Sequence, residues 1–214
     1  MNDKYCFTGE EKIFNGKTLK RIVALKDFGN VKKGDIGGWI ETEENLSTID
    51  LAWVSGSARV LDSAWVSDSA WVSGSAIVSG SAIVSGSARV LDSARVSGSA
   101  TVSDSALVSG SAWVSDSALV LDSARVSDSA RVSGSARVNF EVSHTSDYSC
   151  IQVIGSRDDC LTFSIKTDII NTGCFSGSIE DFEKKVIGTH GGAIYEKQYL
   201  LAIKFIKELK GLMG

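Results

Sequence analysis

The sequence predicts an all-β solenoid, a stack of short-stranded coils with a β cap in front and a small α+β domain behind. Three observations carry this reading. Valine occupies every sixth position from Val54 to Val138, fifteen times in succession. Alanine does the same from Ala52 to Ala136, again fifteen times. Serine likewise recurs every six residues from Ser57 to Ser135, and the residue before each of these is always Gly or Asp. Self-similarity at a fixed period decides architecture before any propensity does.

The repeating unit is A-x-V-S-[GD]-S, with Leu61, Leu91 and Leu121 in place of the first serine. Ala, x and Val alternate with the period of a strand, so Ala and Val share the inner face and x points outward. The polar S-[GD]-S that follows is turn chemistry: Gly, and less readily Asp, tolerates the left-handed backbone that a tight corner needs. A helix is excluded, because a six-residue period would scatter valine around a cylinder of 3.6 residues per turn. Disorder is the ordinary outcome for a Ser/Gly/Ala-rich segment. Thirty apolar side chains in one register argue against it.

Residues 1–50 have ordinary complexity and read as a capping region. Within them "KIFNGKTLKRIVALKDF" offers an Asn15-Gly16 hairpin turn between two strand-like runs. "GDIGGWIETEENL" then leads into the coils, where the cap would cover an open sheet edge. The acidic cluster Glu41, Glu43 and Glu44 reads as a solvated turn rather than a metal site. The solenoid occupies 51–140. After Val138 the pattern decays, and a separate domain spans 149–214. Its strand-like runs "CIQVIGS", "CLTFSIKT" and "IINTGCFSG" predict three strands. Ser178 with Asp181 resembles a capping box. Ile179, Phe182 and Val186 give a short amphipathic helix broken at His190-Gly191-Gly192, and a longer helix runs from about Ile194 to Leu212. The expected order is βββαα.

Composition limits the function. The formal charge of −4 divides as −1 over 1–50, −1 over 51–138 and −2 over 139–214. No segment is basic enough to indicate nucleic-acid binding, so no DNA binding is expected. No run approaches the eighteen or so apolar residues of a membrane span, and the N-terminus lacks a signal-peptide core, so a cytoplasmic protein without membrane contact is expected. Cys6, Cys150, Cys160 and Cys174 are read as free thiols. Cys150, Cys160 and Cys174 with His190 match no standard zinc spacing, and neither metal nor cofactor is expected.

The unit V-S-G-S-A-R resembles the hexapeptide repeat of left-handed parallel β-helices. In that fold three hexads form one triangular coil, so fifteen hexads imply five coils of eighteen residues. At about 4.8 Å per coil the prism would be roughly 24 Å long. Folded in this way, one face stacks Trp53, Trp71, Arg89, Leu107 and Arg125. The next stacks Arg59, Ile77, Arg95, Trp113 and Arg131, and the third Trp65, Ile83, Thr101, Leu119 and Arg137. Trp53, Trp65, Trp71, Arg89 and Trp113 are the candidate partner-binding residues, because Trp and Arg often dominate interfaces.

Many proteins with this helix are acyltransferases, which use a histidine base on or near the coils and an excursion loop. Here both histidines, His144 and His190, lie beyond the repeat, which runs without insertion. A base cannot act from outside its site, and no catalytic residue is assigned. As a whole the chain resembles a hexapeptide-repeat protein common in bacteriophages and prophages. The resemblance rests on "GKTLKRIVALKDFGNVKKGDIGGWIE", the solenoid, "TGCFSGSIEDFEKKVIGTHG" and "YEKQYLLAI". It implies an accessory phage product acting in the host cytoplasm, without giving a reaction.

The expected function is therefore binding: counter-defence by sequestering a nucleotide-type signal or by occluding a host defence protein. A scaffold that holds a protein on its solenoid faces, and an acyltransferase, are the alternatives. Arg157, Lys166, Cys174, His190 and Tyr195 sit at or near predicted element ends and are the candidate ligand-binding residues for a small anionic nucleotide. A homo-oligomer, dimer or trimer, is expected through the back domain or the apolar outer faces.

Overall fold

The repeat folds because backbone N–H groups of each rung find carbonyls in the next coil. In the computed structural model, which describes residues 2–157 and 159–213 and leaves the side chains of Val153, Arg157, Asp159 and Met213 aside, the bonds recur with the register of the hexad. Trp65 N–H donates to the Ala82 carbonyl at 2.9 Å, Ser67 to Val84 at 3.0 Å and Ser69 to Gly86 at 2.8 Å. The same three bonds recur down the stack.

Three antiparallel-connected elements precede the repeat: β1 (Tyr5–Phe14), β2 (Lys17–Ala24) and β3 (Ile36–Ile40). Fifteen two-residue strands, β4 to β18, follow from Trp53–Val54 to Arg137–Val138, and β19 is Glu141–Val142. Parallel pairing joins the two-residue strands into three faces. Trp53 pairs with Trp71, Arg59 with Ile77 and Trp65 with Ile83, each partner eighteen residues on, as expected. All fifteen alanines and all fifteen valines of the repeat are fully buried.

The stack has about six turns rather than five. Ile40 pairs with Val60 and Leu46 bridges Val66, so residues expected to lie in the cap already form the first turn. Their offset is twenty residues instead of eighteen, which hides this turn from a fixed-period reading. At the other end Val142 pairs with Val126, sixteen residues away. The same device closes both ends: Asn45 Oδ1 accepts the amides of Glu41 and Thr42, and Asp147 Oδ2 accepts those of Ser143 and His144.

Corners are where the sequence pays its steric cost. Each Gly or Asp of the S-[GD]-S corner is left-handed, Gly56 at φ 63° and Asp62 at φ 61° for example. The alanine amide that follows closes the turn, as Ala58 does on the Ser55 carbonyl. Asp has a further use, because its carboxylate accepts the corner amide one coil on. Asp62 takes Gly80 N–H at 2.9 Å, Asp92 takes Gly110 at 3.1 Å and Asp116 takes Gly134 at 3.0 Å. At Gly74 a Cβ would lie 2.8 Å from the Asp92 backbone.

The hairpin turns at Asn15 (φ 50°) and Gly16 (φ 78°), the two left-handed residues of a type I′ turn. It covers the first coil by extending one face sideways, in the order β1-β2-β3-β5, where β5 is Arg59–Val60. Gly37 and Gly38 permit the contact, since a Cβ there would meet Ile22 at 2.5 Å and the Ala58 carbonyl at 2.8 Å. Lys4, almost fully buried, donates to the Ser47 carbonyl at 2.8 Å and to Asp50 at 3.3 Å.

Behind the solenoid an antiparallel sheet, β20 (Tyr148–Ile154), β21 (Asp159–Ser164), β22 (Ile169–Thr172) and β23 (Phe175–Ser178), packs on α1 (Ile179–His190) and α2 (Ile194–Met213). The order is therefore ββββαα and not βββαα. The run "IINTGCFSG" folds back on itself, because Gly173 at φ 53° lets Thr172 pair with Phe175 across a two-residue turn. Ser178 caps α1 by accepting the Asp181 amide at 3.1 Å. The sheet also seals the last rung: buried Asn171 donates to the Arg137 carbonyl at 3.0 Å and Thr162 Oγ1 accepts the Arg137 amide at 2.9 Å. Cys150 and Cys160 do not remain free. Strand pairing sets their Cα atoms 6.1 Å apart and they form a disulfide, while Cys6 and Cys174 are free and exposed.

Opposite outcomes are expected for two glycines. Gly74→Ala should cost about 1–2 kcal/mol through left-handed strain and the coil-to-coil clash, and Gly74→Asp should cost less because its carboxylate can take the Asp92 amide. Gly188→Ala, with open space around it in α1, should gain about 0.5–1 kcal/mol. Denaturant unfolding midpoints check the ranking; equal effects of Ala and Asp at position 74 would disprove the role given to the corner carboxylates.

Candidate functional site

Two clefts collect chemistry, one lined by expected ligand-binding residues and the other by the expected partner-binding residue Trp113. In the back domain Cys174, on the β22–β23 turn, and His190, at the end of α1, line a cleft of about 180 Å³ with Lys185, Phe175 and Tyr199. The His190 ring stacks on Tyr199 at 5.7 Å and meets Tyr195 edge-on at 6.0 Å. Three of the expected ligand-binding residues thus gather here. Lys166 does not join them, since it is committed to Asp147 at 2.9 Å, where it ties the sheet to the end of the solenoid. The side chain of Arg157 lies outside the described residues.

The outward residues divide by exposure. Trp53 is 2% exposed and is not a contact surface: Phe28 at 5.4 Å and Tyr5 at 6.5 Å meet its ring edge-on from the cap. Trp71 is half-buried against the same core. Arg89 is exposed between Trp71 and Leu107. Trp65 and Trp113 are exposed at 45% and 38%.

Trp113 belongs to the larger cleft, about 570 Å³, which lies where the β1–β2 hairpin tip overhangs the Arg59–Arg131 face. Its wall is Phe14, Asn15 and Lys17, and its floor includes Ile77, Arg95 and Trp113 in consecutive parallel rungs. The Trp113 indole N–H donates to Ser97 Oγ at 3.0 Å, and the Arg131 guanidinium lies 5.5 Å from the ring. Its ring is therefore held in a fixed place. Arg95 is exposed, and its guanidinium makes no hydrogen bond or ion pair among the described residues.

The hairpin tip is locked over this floor by charge. Lys17 Nζ reaches Asp62 at 2.6 Å and Glu41 at 3.0 Å, while Glu41 also accepts the Asp62 amide at 2.7 Å. Lys17, with the Gly80 amide, holds the Asp62 carboxyl below its ordinary 3.8. Phe14 covers the Arg59 guanidinium at 4.4 Å, and Lys12 sits 3.9 Å over Trp39. Burial, with Arg59 and Arg21 nearby, pushes Lys12 down to about 8. Arg59 thus stands behind Phe14 of the cleft wall.

Sequence reasoning found Trp113 and the Asn15-Gly16 turn separately. It missed their meeting, because nothing in the repeat tells how far the hairpin leans over the coils. No protein-family model and no curated protein matches this chain.

The lock has a pH dependence whose sign follows from Asp62. A carboxyl depressed in the folded state stabilises above its unfolded value and loses that stabilisation as pH falls through its folded value. The stability difference between the native chain and Asp62→Asn should be constant above about pH 5 and shrink below about pH 4. Urea unfolding across that range reads it, and a difference that stays constant into strong acid would remove the lock from the account.

Proposed function

We propose that this chain is a non-enzymatic binding protein which captures a small anionic ligand carrying an aromatic ring, a nucleotide, beneath its hairpin tip. The observation that carries the reading is the unpaired Arg95 set between Ile77 and a held Trp113 on the floor of a 570 Å³ cleft. The Trp113 and Phe14 rings suit a base by stacking, and Arg95 suits a phosphate by paired N–H donors. Ligand sites usually measure about 300–1,000 Å³, which favours this cleft over the 180 Å³ cleft beside His190.

Capture without turnover fits the placement of the histidines, since His144 caps the short turn after the last coil and His190 belongs to the back domain. The resemblance to phage proteins makes a host nucleotide signal the ligand of interest, withdrawn from its receptor by tight binding. A second reading, a scaffold for a host defence protein, draws on another face, where Ile49, Trp65 and Ile83 are exposed.

Calorimetric titration with mono-, di- and cyclic nucleotides tests the proposal. Arg95→Glu and Trp113→Ala should each weaken binding roughly tenfold or more without lowering the unfolding temperature, and Lys166→Ala should leave it unchanged. Loss of binding on His190→Ala alone would move the site to the back domain. Nucleotide consumption, or acetyl transfer from acetyl-CoA, would replace the capture reading with an enzyme.

A further inference from the structure

The helix α2 has two apolar stripes, and its own domain uses only one. Tyr199, Ala202, Ile203 and Ile206 are buried against the sheet and α1. On the other side Ile194, Leu201, Phe205 and Leu212 are 62%, 69%, 50% and 85% exposed. With the exposed Gln198 and Glu208 they form the series 194, 198, 201, 205, 208 and 212, whose 4-3-4-3-4 spacing is that of a coiled-coil seam.

The chemistry of this seam reads the same in both directions: apolar, polar, apolar, apolar, polar, apolar. We propose that α2 pairs with α2 of a second copy of this chain, antiparallel, about a two-fold axis at position 203. That axis sets Ile194 against Leu212 of the second copy, Leu201 against Phe205, and Gln198 against Glu208. A two-fold interface demands this self-complementarity. Charge fixes the direction. A parallel pair or trimer would stack Glu208 on Glu208 within the seam, whereas the antiparallel pair gives each Glu208 the amide of Gln198 and the neighbouring Lys197 as partners. The like-charged approach is Lys204 to Lys204 at the rim, where each is 74% exposed and has its own Glu208 at 3.9 Å. That cost is small in solvent. At 20 residues the helix supplies a seam about 30 Å long.

Light scattering and sedimentation of the full chain across a concentration series test the proposal. A dimer is expected, and Leu201→Asp or Phe205→Asp should weaken it roughly tenfold or more by placing a carboxylate in an apolar layer. Circular dichroism should not change, because both side chains are exposed in the single chain and neither supports its fold. Direction is read separately, in a Cys6→Ser/Cys174→Ser background carrying Ile194→Cys and Leu212→Cys. Oxidation should link position 194 to position 212 of the other copy. A monomer at every concentration, a trimer, a dimer untouched by either Asp variant, or links joining 194 to 194 would each overturn the proposal. None of these readouts involves nucleotide, so the result stands apart from the fate of the hairpin cleft.

Discussion

The bond from a strand amide to the carbonyl of the next coil is the constraint on which the rest of this protein depends. It can be made at every rung only if the backbone retraces the same path each eighteen residues. That requirement reaches every position of the hexad. Through the repeat the interior is filled by alternating Ala and Val, and each corner turns through the left-handed region. Gly meets the corner by lacking a Cβ, as at Gly74 over Asp92. Asp meets it by offsetting strain with a charge-assisted bond to the next corner, as at Asp62 over Gly80.

A structure so regular has little place for chemistry, and the recognition features arise where regularity stops. The twenty-residue offset between Ile40 and Val60 admits an extra stretch into the first turn, and that turn carries β3 and the hairpin. Gly37 and Gly38 bring this sheet close to the coils, and Lys17 fastens its tip to Asp62. The result is an overhang across a flat face, with Arg95 and Trp113 beneath it. Rigid rungs supply the floor and a charged lock holds the wall.

At the far end the coil faces a different demand, since its last rung has amides and carbonyls with no further coil to meet. Thr162 and Asn171, both buried on the new sheet, supply those partners. Asp147 and Lys166 reinforce the junction. The back domain therefore ends the stack and blunts an edge that would otherwise accept another chain. Its helix α2 then turns an apolar stripe outward, where association is limited to a partner of matching register.

The repeat by itself determined the solenoid, the inward Ala and Val, and the composition of each outward row. Period and side-chain size select this arrangement for fifteen hexads of one pattern. The type I′ hairpin, the Ser178 cap and both helices were also legible, because local residues dictate them. Three things were decided only in the tertiary structure. Trp53 went from an outward residue to a buried one because Tyr5 and Phe28, distant in sequence, close over it. Cys150 and Cys160 became a disulfide because the pairing of β20 with β21 brings their Cα atoms within 6.1 Å, although Cys150 itself lies opposite Thr162. The cleft formed because a hairpin and three rungs met at a distance that no local pattern encodes. Local periodicity fixes which way a side chain points, whereas burial and partnership depend on which remote surface arrives to cover it.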